Sequence, residues 1–279
     1  MTIGPLLVLF FQVGAHKAAV EAFSQHRYAD AVQQFTEALK TEAAGSAEYQ
    51  ESTFLLGESL YLQKKFAEAV PWFEKAAGGG SRALAAAFME GNAYLQGRQD
   101  DKALQAFASV FQVAPGSAAA HLMTADMMLR EQIAESAEKE ARRALELDAR
   151  IPQAHFILGE VALTRGDATQ AIAELQEEIE INPGFAMAYY RLGDAYTRRS
   201  AWDDAVSWLE RSIWLNPNSS GPYVLLGKAY FNRGDLEDAE RALRHAVQMD
   251  PRNQPAHHLL GQTLQRAGKT EEGQKELAQ

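Results

Sequence analysis

The chain of 279 residues is 47 % hydrophobic and 23 % charged, proportions of a folded protein that exclude disorder along its whole length. Its formal net charge of −10 and pI near 5.3 make nucleic acid and anionic lipid disfavoured partners. With no cysteine, a disulfide scaffold and any thiolate metal site are excluded.

In chain order, the first feature is an apolar run at residues 6–11 (Leu-Leu-Val-Leu-Phe-Phe), too short to span a bilayer. Val13-Gly14-Ala15 suits signal-peptide cleavage after Ala15, yet residues 1–5 lack the Lys or Arg that a signal peptide carries. A short helix covering the next element is the other reading, although a terminal cap should show a polar outer face and this run shows none. Export to a periplasmic compartment through residues 1–15 and a cytoplasmic location both stay open. Membrane association enters only through this segment. Residues 1–11 are therefore set apart as a segment, and 12–279 are read as one domain.

The rest of the chain repeats. Stepping by thirty-four residues from Gly57 reaches Gly91, Ala125, Gly159, Gly193, Gly227 and Gly261. The same step from Ala69 reaches Ala103, Ala137, Ala171, Ala205, Ala239 and Gly273, and Ala19 and Ala31 extend both columns upstream after an offset of four. A bulky column holds Phe35, Phe73, Phe107, Leu175, Leu209, Leu243 and Leu277. These columns predict eight helix pairs, A then B, starting near residues 12, 50, 84, 118, 152, 186, 220 and 254. Small residues are expected where the two backbones cross, and bulky ones in the gap to the next repeat. Pro115, Pro183, Pro217 and Pro251 fall just past helix B, which proline cannot continue. Gly166, Gly234 and Gly268 fall at the A-to-B turn, where a positive φ favours glycine, and Asp167 and Asp235 follow as caps for helix B.

Residues 189–217 (Tyr189, Leu192-Gly193, Tyr196, Trp202, Ala205, Leu209, Pro217) and 223–251 (Tyr223, Leu226-Gly227, Tyr230, Gly234, Ala239, Leu243, Ala246, Pro251) carry a pattern that resembles the tetratricopeptide repeat. The resemblance implies an all-α fold: an α-solenoid, the right-handed superhelix of stacked helix-turn-helix repeats, about eight of them here. Departures are local. Four extra residues lie around 43–49, Gly78-Gly79-Gly80-Ser81 should loosen the joint to the third repeat, and the fourth repeat is weakest, with Thr124, Gln132 and Ala141. The eighth repeat stops inside helix B.

The resemblance also implies that the A helices line a concave groove. Its expected lining is Phe54, Glu58, Phe88, Met89, Asn92, Leu122, Met123, Asp126, Phe156, Glu160, Tyr190 and Asp194. Apolar side chains of a partner would pack on the Phe, Met and Leu columns. Its Lys or Arg would meet the acidic seam of Glu58, Asp126, Glu160 and Asp194. Repeats six to eight turn more polar and gain cations at Arg191, Arg198, Lys228 and Arg266. The carboxylate-clamp pairing of Lys and Asn at the fifth and ninth positions is not present.

Other chemistry is not legible. Residues 221–228 (G-P-Y-V-L-L-G-K) miss the P-loop spacing and fall in a helix A. His121, His155 and His257 come one per repeat, as stacking elements and not as metal ligands. Glu177, Glu178 and Glu180 read as a solvated helix face, although Glu178 stands in a column where Ala is usual. The expectation is a non-catalytic scaffold for a protein or peptide, with no cofactor, metal, nucleic acid or small-molecule substrate. A structural subunit of a bacterial-type envelope or secretion assembly is the alternative, and a regulatory arm of an enzyme comes last.

Overall fold

Apolar residues at helical spacing, broken every dozen or so positions by turn residues, fold into sixteen α-helices and no strand among the described residues. The computed structural model describes residues 5–279, with side chains from residue 14 onward. The chain divides into two compact units, Met1–Glu131 and Gln132–Gln279. The boundary falls inside the fourth repeat, the one whose pattern is weakest.

Unit 1 holds α1 (Pro5–Ser24) paired with α2 (Tyr28–Ala38), α3 (Ala47–Leu62) with α4 (Phe66–Ala77), α5 (Ala83–Gln96) with α6 (Asp100–Val110), and then α7 (Ala118–Arg130). Unit 2 opens with α8 (Ala134–Leu147). It continues with the pairs α9 (Ala154–Thr164) and α10 (Ala168–Ile181), α11 (Ala186–Arg198) and α12 (Trp202–Leu215), α13 (Ser220–Arg233) and α14 (Leu236–Met249), and α15 (Gln254–Arg266) and α16 (Thr270–Leu277). The apolar run at 6–11 belongs to α1, which continues unbroken to Ser24. The side chains of that run, and residues 1–4 of the proposed leader 1–15, lie outside the described residues. No described helix is long and apolar enough to cross a membrane.

The small and bulky columns do the work expected of them. A Cβ on Gly57 would stand 2.9 Å from the Phe73 ring, and one on Gly227 only 2.4 Å from Leu243 Cγ. Where a repeat carries glycine in the small column, the bulky residue sixteen positions later is seated on it, and Leu175, Leu209 and Leu243 also pack with Leu192, Leu226 and Leu260 of the next repeat. Phe73, Leu209 and Leu243 are 0 % exposed there, and burying each such side chain is worth about 2 kcal/mol.

The A-to-B turn shows a feature that only three glycines announce. All eight turn positions have positive φ: Gly166 (79°), Gly234 (98°) and Gly268 (82°), but also His26 (59°), Lys64 (62°), Arg98 (56°), Gln132 (61°) and Ser200 (58°). Asp167 caps α10 as expected, accepting from the Gln170 N–H at 2.9 Å. Asp235 does not cap α14; its carboxylate is held by Arg233 instead. Across the loop Gly78-Gly79-Gly80, α4 and α5 pack side by side, so the joint expected to be loose is a packed one. Helices α10, α12 and α14 each end on an extended Asn182, Asn216 or Asp250 followed directly by proline.

Within unit 2, α9, α11 and α13 each also pack on the next A helix, whereas successive B helices make no comparable contact among the described residues. In unit 1, α1 packs likewise on α3 and α3 on α5. A stack that draws its A helices together and leaves its B helices apart curves with the A helices inside.

Candidate functional site

The twelve residues expected on the A-helix face lie on α3, α5 and α7 in unit 1 and on α9 and α11 in unit 2. Two of them, Phe54 and Asn92, are buried at 7 % and 8 % exposure and support the face from beneath. The other ten are half-buried, neither sealed in the core nor freely solvated.

In unit 1, Phe54 leans on Phe73 at 6.1 Å between ring centroids, with the Arg82 guanidinium 5.3 Å from its ring. Phe88 leans on Phe107 at 5.8 Å. In both cases the A-helix aromatic rests on the bulky residue seated against the repeat's glycine, so core packing sets its orientation. Met89, Leu122 and Met123 continue the half-buried stripe. Glu58 has no ion pair among the described residues, and burial pushes its carboxyl above the ordinary carboxylate range while Arg82 pulls it back. In unit 2, Phe156 packs edge-on to Phe185 at 5.0 Å. Tyr190 lies against the start of α13, where Gly221 leaves room for its hydroxyl.

The acidic seam is largely neutralised from within. Asp126 binds Arg130 at 2.9 Å, Glu160 meets Arg191 at 2.7 Å, and Asp194 binds Arg198 at 3.0 Å. Arg198 also donates to the Leu163 carbonyl at 2.7 Å, and Arg266 donates to the Phe231 carbonyl at 3.1 Å. Each of these arginines thus closes the C-terminus of the preceding A helix, whose last carbonyls lack helical partners. Of the acidic residues expected to meet a basic partner, Glu58 alone keeps its carboxylate free of an ion pair among the described residues.

Several functional groups escaped sequence reasoning. Glu178 is not part of a solvated face: it is 0 % exposed, and its carboxylate accepts the backbone N–H of Gln153 at 2.9 and 2.8 Å and of Phe156 at 3.3 Å. Burial raises its pKa, and the two backbone donors oppose that. In the same column of the next repeat, buried Ser212 donates to the Ala186 carbonyl at 2.9 Å. His155 and His257 tie helix A to helix B through Glu174 at 2.8 Å and Glu276 at 2.6 Å, a polar version of the stacking role expected of them. No group of His, Asp and Glu among the described residues could hold a metal ion. His16 Nδ1 approaches both Ser52 Oγ at 2.9 Å and Glu42 Oε1 at 3.1 Å, but Ser52 is 0 % exposed and beyond the reach of any substrate.

Models of the tetratricopeptide repeat match residues 16–86, 88–150, 134–184, 188–223 and 230–279, nearly the whole chain past the first helix turns. The chain is a tetratricopeptide-repeat protein. No curated protein matches it. Among solved structures it is similar to MamA from Desulfovibrio magneticus RS-1 (residues 41 to the end), at 23 % identity and TM-score 0.54 over 58 % of this chain and 91 % of that one. The Cut9–Hcn1 hetero-tetramer of the APC/C is similar at 17 % identity and TM-score 0.56, over 88 % of this chain and 55 % of that one. A tetratricopeptide repeat protein from Parabacteroides merdae ATCC 43184 is similar at 18 % identity and TM-score 0.50, over 91 % and 98 %. At these identities the likenesses concern the fold, an all-α helical solenoid. Membership of the tetratricopeptide family places this repeat protein among protein-interaction scaffolds.

Proposed function

We propose that this tetratricopeptide-repeat protein is a non-catalytic scaffold whose A-helix faces hold a peptide or protein segment. The observation that carries the reading is the half-buried stripe of Phe88, Met89, Leu122 and Met123 in unit 1 and of Phe156 and Tyr190 in unit 2. Its own chain leaves this stripe only partly covered, and contiguous accessible apolar surface marks interaction sites. Methionines adapt such a surface to varied side chains. On the unit 1 face a basic partner side chain would find Glu58 unpaired. Asp126 and the unit 2 carboxylates already have their cations, so they contribute shape more than charge.

The test is a double substitution, Phe88→Glu with Phe156→Glu, used as bait beside the parent chain in a pull-down. Both rings are half-buried on helix faces, so helical content by circular dichroism should persist. Loss of the parent's partner supports the reading. A partner retained at parental level contradicts it.

A further inference from the structure

Charge in the last three repeats is sorted by layer. Helices α11, α13 and α15 carry five basic side chains and one acidic, while α12, α14 and α16 carry nine acidic and four basic. A chain of net charge −10 thus presents a cationic A layer at one end. Three of the five are committed elsewhere: Arg191 to Glu160, Arg198 to Asp194 and the Leu163 carbonyl, and Arg233 to Asp203 and Asp235. Two are not matched by any carboxylate. Lys228 is half-buried at the middle of α13, and its ammonium has no ion pair or hydrogen bond among the described residues. Arg266, exposed at the end of α15, donates to the Phe231 carbonyl and stands 5.1 Å over the Phe231 ring. Neither α13 nor α15 contains an acidic residue that could answer them.

We propose that the A-helix face of α13 and α15, centred on Lys228, binds an acidic segment of a partner polypeptide. The inference rests on the proposed A-face binding and changes its chemistry at this end, from a basic partner to an anionic one. Charge complementarity selects this occupant. An ammonium without a counter-ion, on a side chain that is half-buried, gains most from a carboxylate that brings it one. Leu225 and Phe231, three positions either side of it on α13, and Leu259 on α15 are half-buried and receive the apolar side chains beside that carboxylate. The acidic B layer repels the same segment and so confines it to the A side.

The test uses fluorescence anisotropy on the full chain with three labelled probes of equal length: a peptide of Leu, Ser and Glu, its Lys-for-Glu counterpart, and an oligouridylate. The expected result is salt-sensitive binding of the Glu peptide, weakened roughly tenfold or more by Lys228→Glu and retained by Lys228→Arg. Lys228→Gln serves as a second loss-of-charge variant should the reversal disturb folding. Binding of the Glu peptide that ignores both loss-of-charge variants overturns the inference. So does a Lys228-dependent preference for oligouridylate. Failure of the Glu peptide to bind, with the Phe88- and Phe156-dependent partner still captured, overturns the inference alone and leaves the scaffold reading standing.

Discussion

Glu178 offers the sharpest test of the energetics. Replacing it with Ala restores the residue found in the same column at Ala144 and Ala246, so a reading from the repeat pattern alone expects no harm. The structure expects the opposite. Helix α9 begins on Gln153, whose φ of 76° is left-handed and whose own side chain caps nothing. The N–H groups of Gln153 and Phe156 are satisfied by the Glu178 carboxylate, which is 0 % exposed. Stranding these two donors, one on exposed Gln153 and one on half-buried Phe156, costs up to about 1–3 kcal/mol each, and removing a buried carboxylate returns part of its desolvation cost. The expected net loss for Glu178→Ala is about 2 kcal/mol, and about 1 kcal/mol for Glu178→Gln, whose amide oxygen still accepts. Urea denaturation followed by circular dichroism measures the loss, and hydrogen exchange locates it as faster exchange at the Gln153 and Phe156 amides. A change below about 0.5 kcal/mol with unaltered exchange at those amides would refute the reasoning.

Glycine at Lys64, Arg98, Gln132 and Ser200 should raise stability. A left-handed residue with a Cβ costs about 1–2 kcal/mol, of which the entropy of an unfolded glycine returns about 0.5–1. A gain of about 0.5 kcal/mol per site is expected in thermal melts, and a loss at all four would show that these side chains earn their place by contacts. Stability should also rise as the pH falls from 8 towards 5. The hydrogen bond from Glu174 raises the His155 pKa, so its contribution is complete below the ordinary histidine value of about 6.5 and fades as pH climbs through the raised one. Burial raises Glu58, Glu160 and Glu178, whose contributions are likewise present at low pH and lost as pH rises through their folded values. Arg142 and Arg165 lower Glu138, so its contribution is lost as pH falls through its folded value, below the ordinary 4.5. Urea midpoints measured from pH 4 to 8 should peak between about 4.5 and 6, and His155→Gln should flatten the rise between 8 and 6. A peak above pH 7 would contradict these assignments.

The period of the small and bulky columns made the helix pairs legible, because a glycine in six of the eight repeats, and alanine in the other two, leaves room for a large side chain from the facing helix. The A-to-B turns were legible only in part. Gly166, Gly234 and Gly268 declare a left-handed position, while Lys64 and Arg98 adopt it without any sign in their side-chain type. Glu178 was hidden by its neighbours: beside Glu177 and Glu180 it looks solvated, and only its column, where Ala144 and Ala246 are buried, marks it as interior. The acidic seam was visible as residues and illegible as charge. Arg130 and Arg198 stand four positions after Asp126 and Asp194, a spacing that predicts their pairing on one helix face, but the link from Arg191 to Glu160 crosses repeats and needs the stack.

Hydrogen exchange of the full chain, with and without a captured partner, shows which helix faces hold that partner. Slowed exchange is expected on A helices (α3, α5, α7, α9 or α11), with α4, α6, α10 and α12 unchanged. Protection confined to those B helices or to the loops would contradict it.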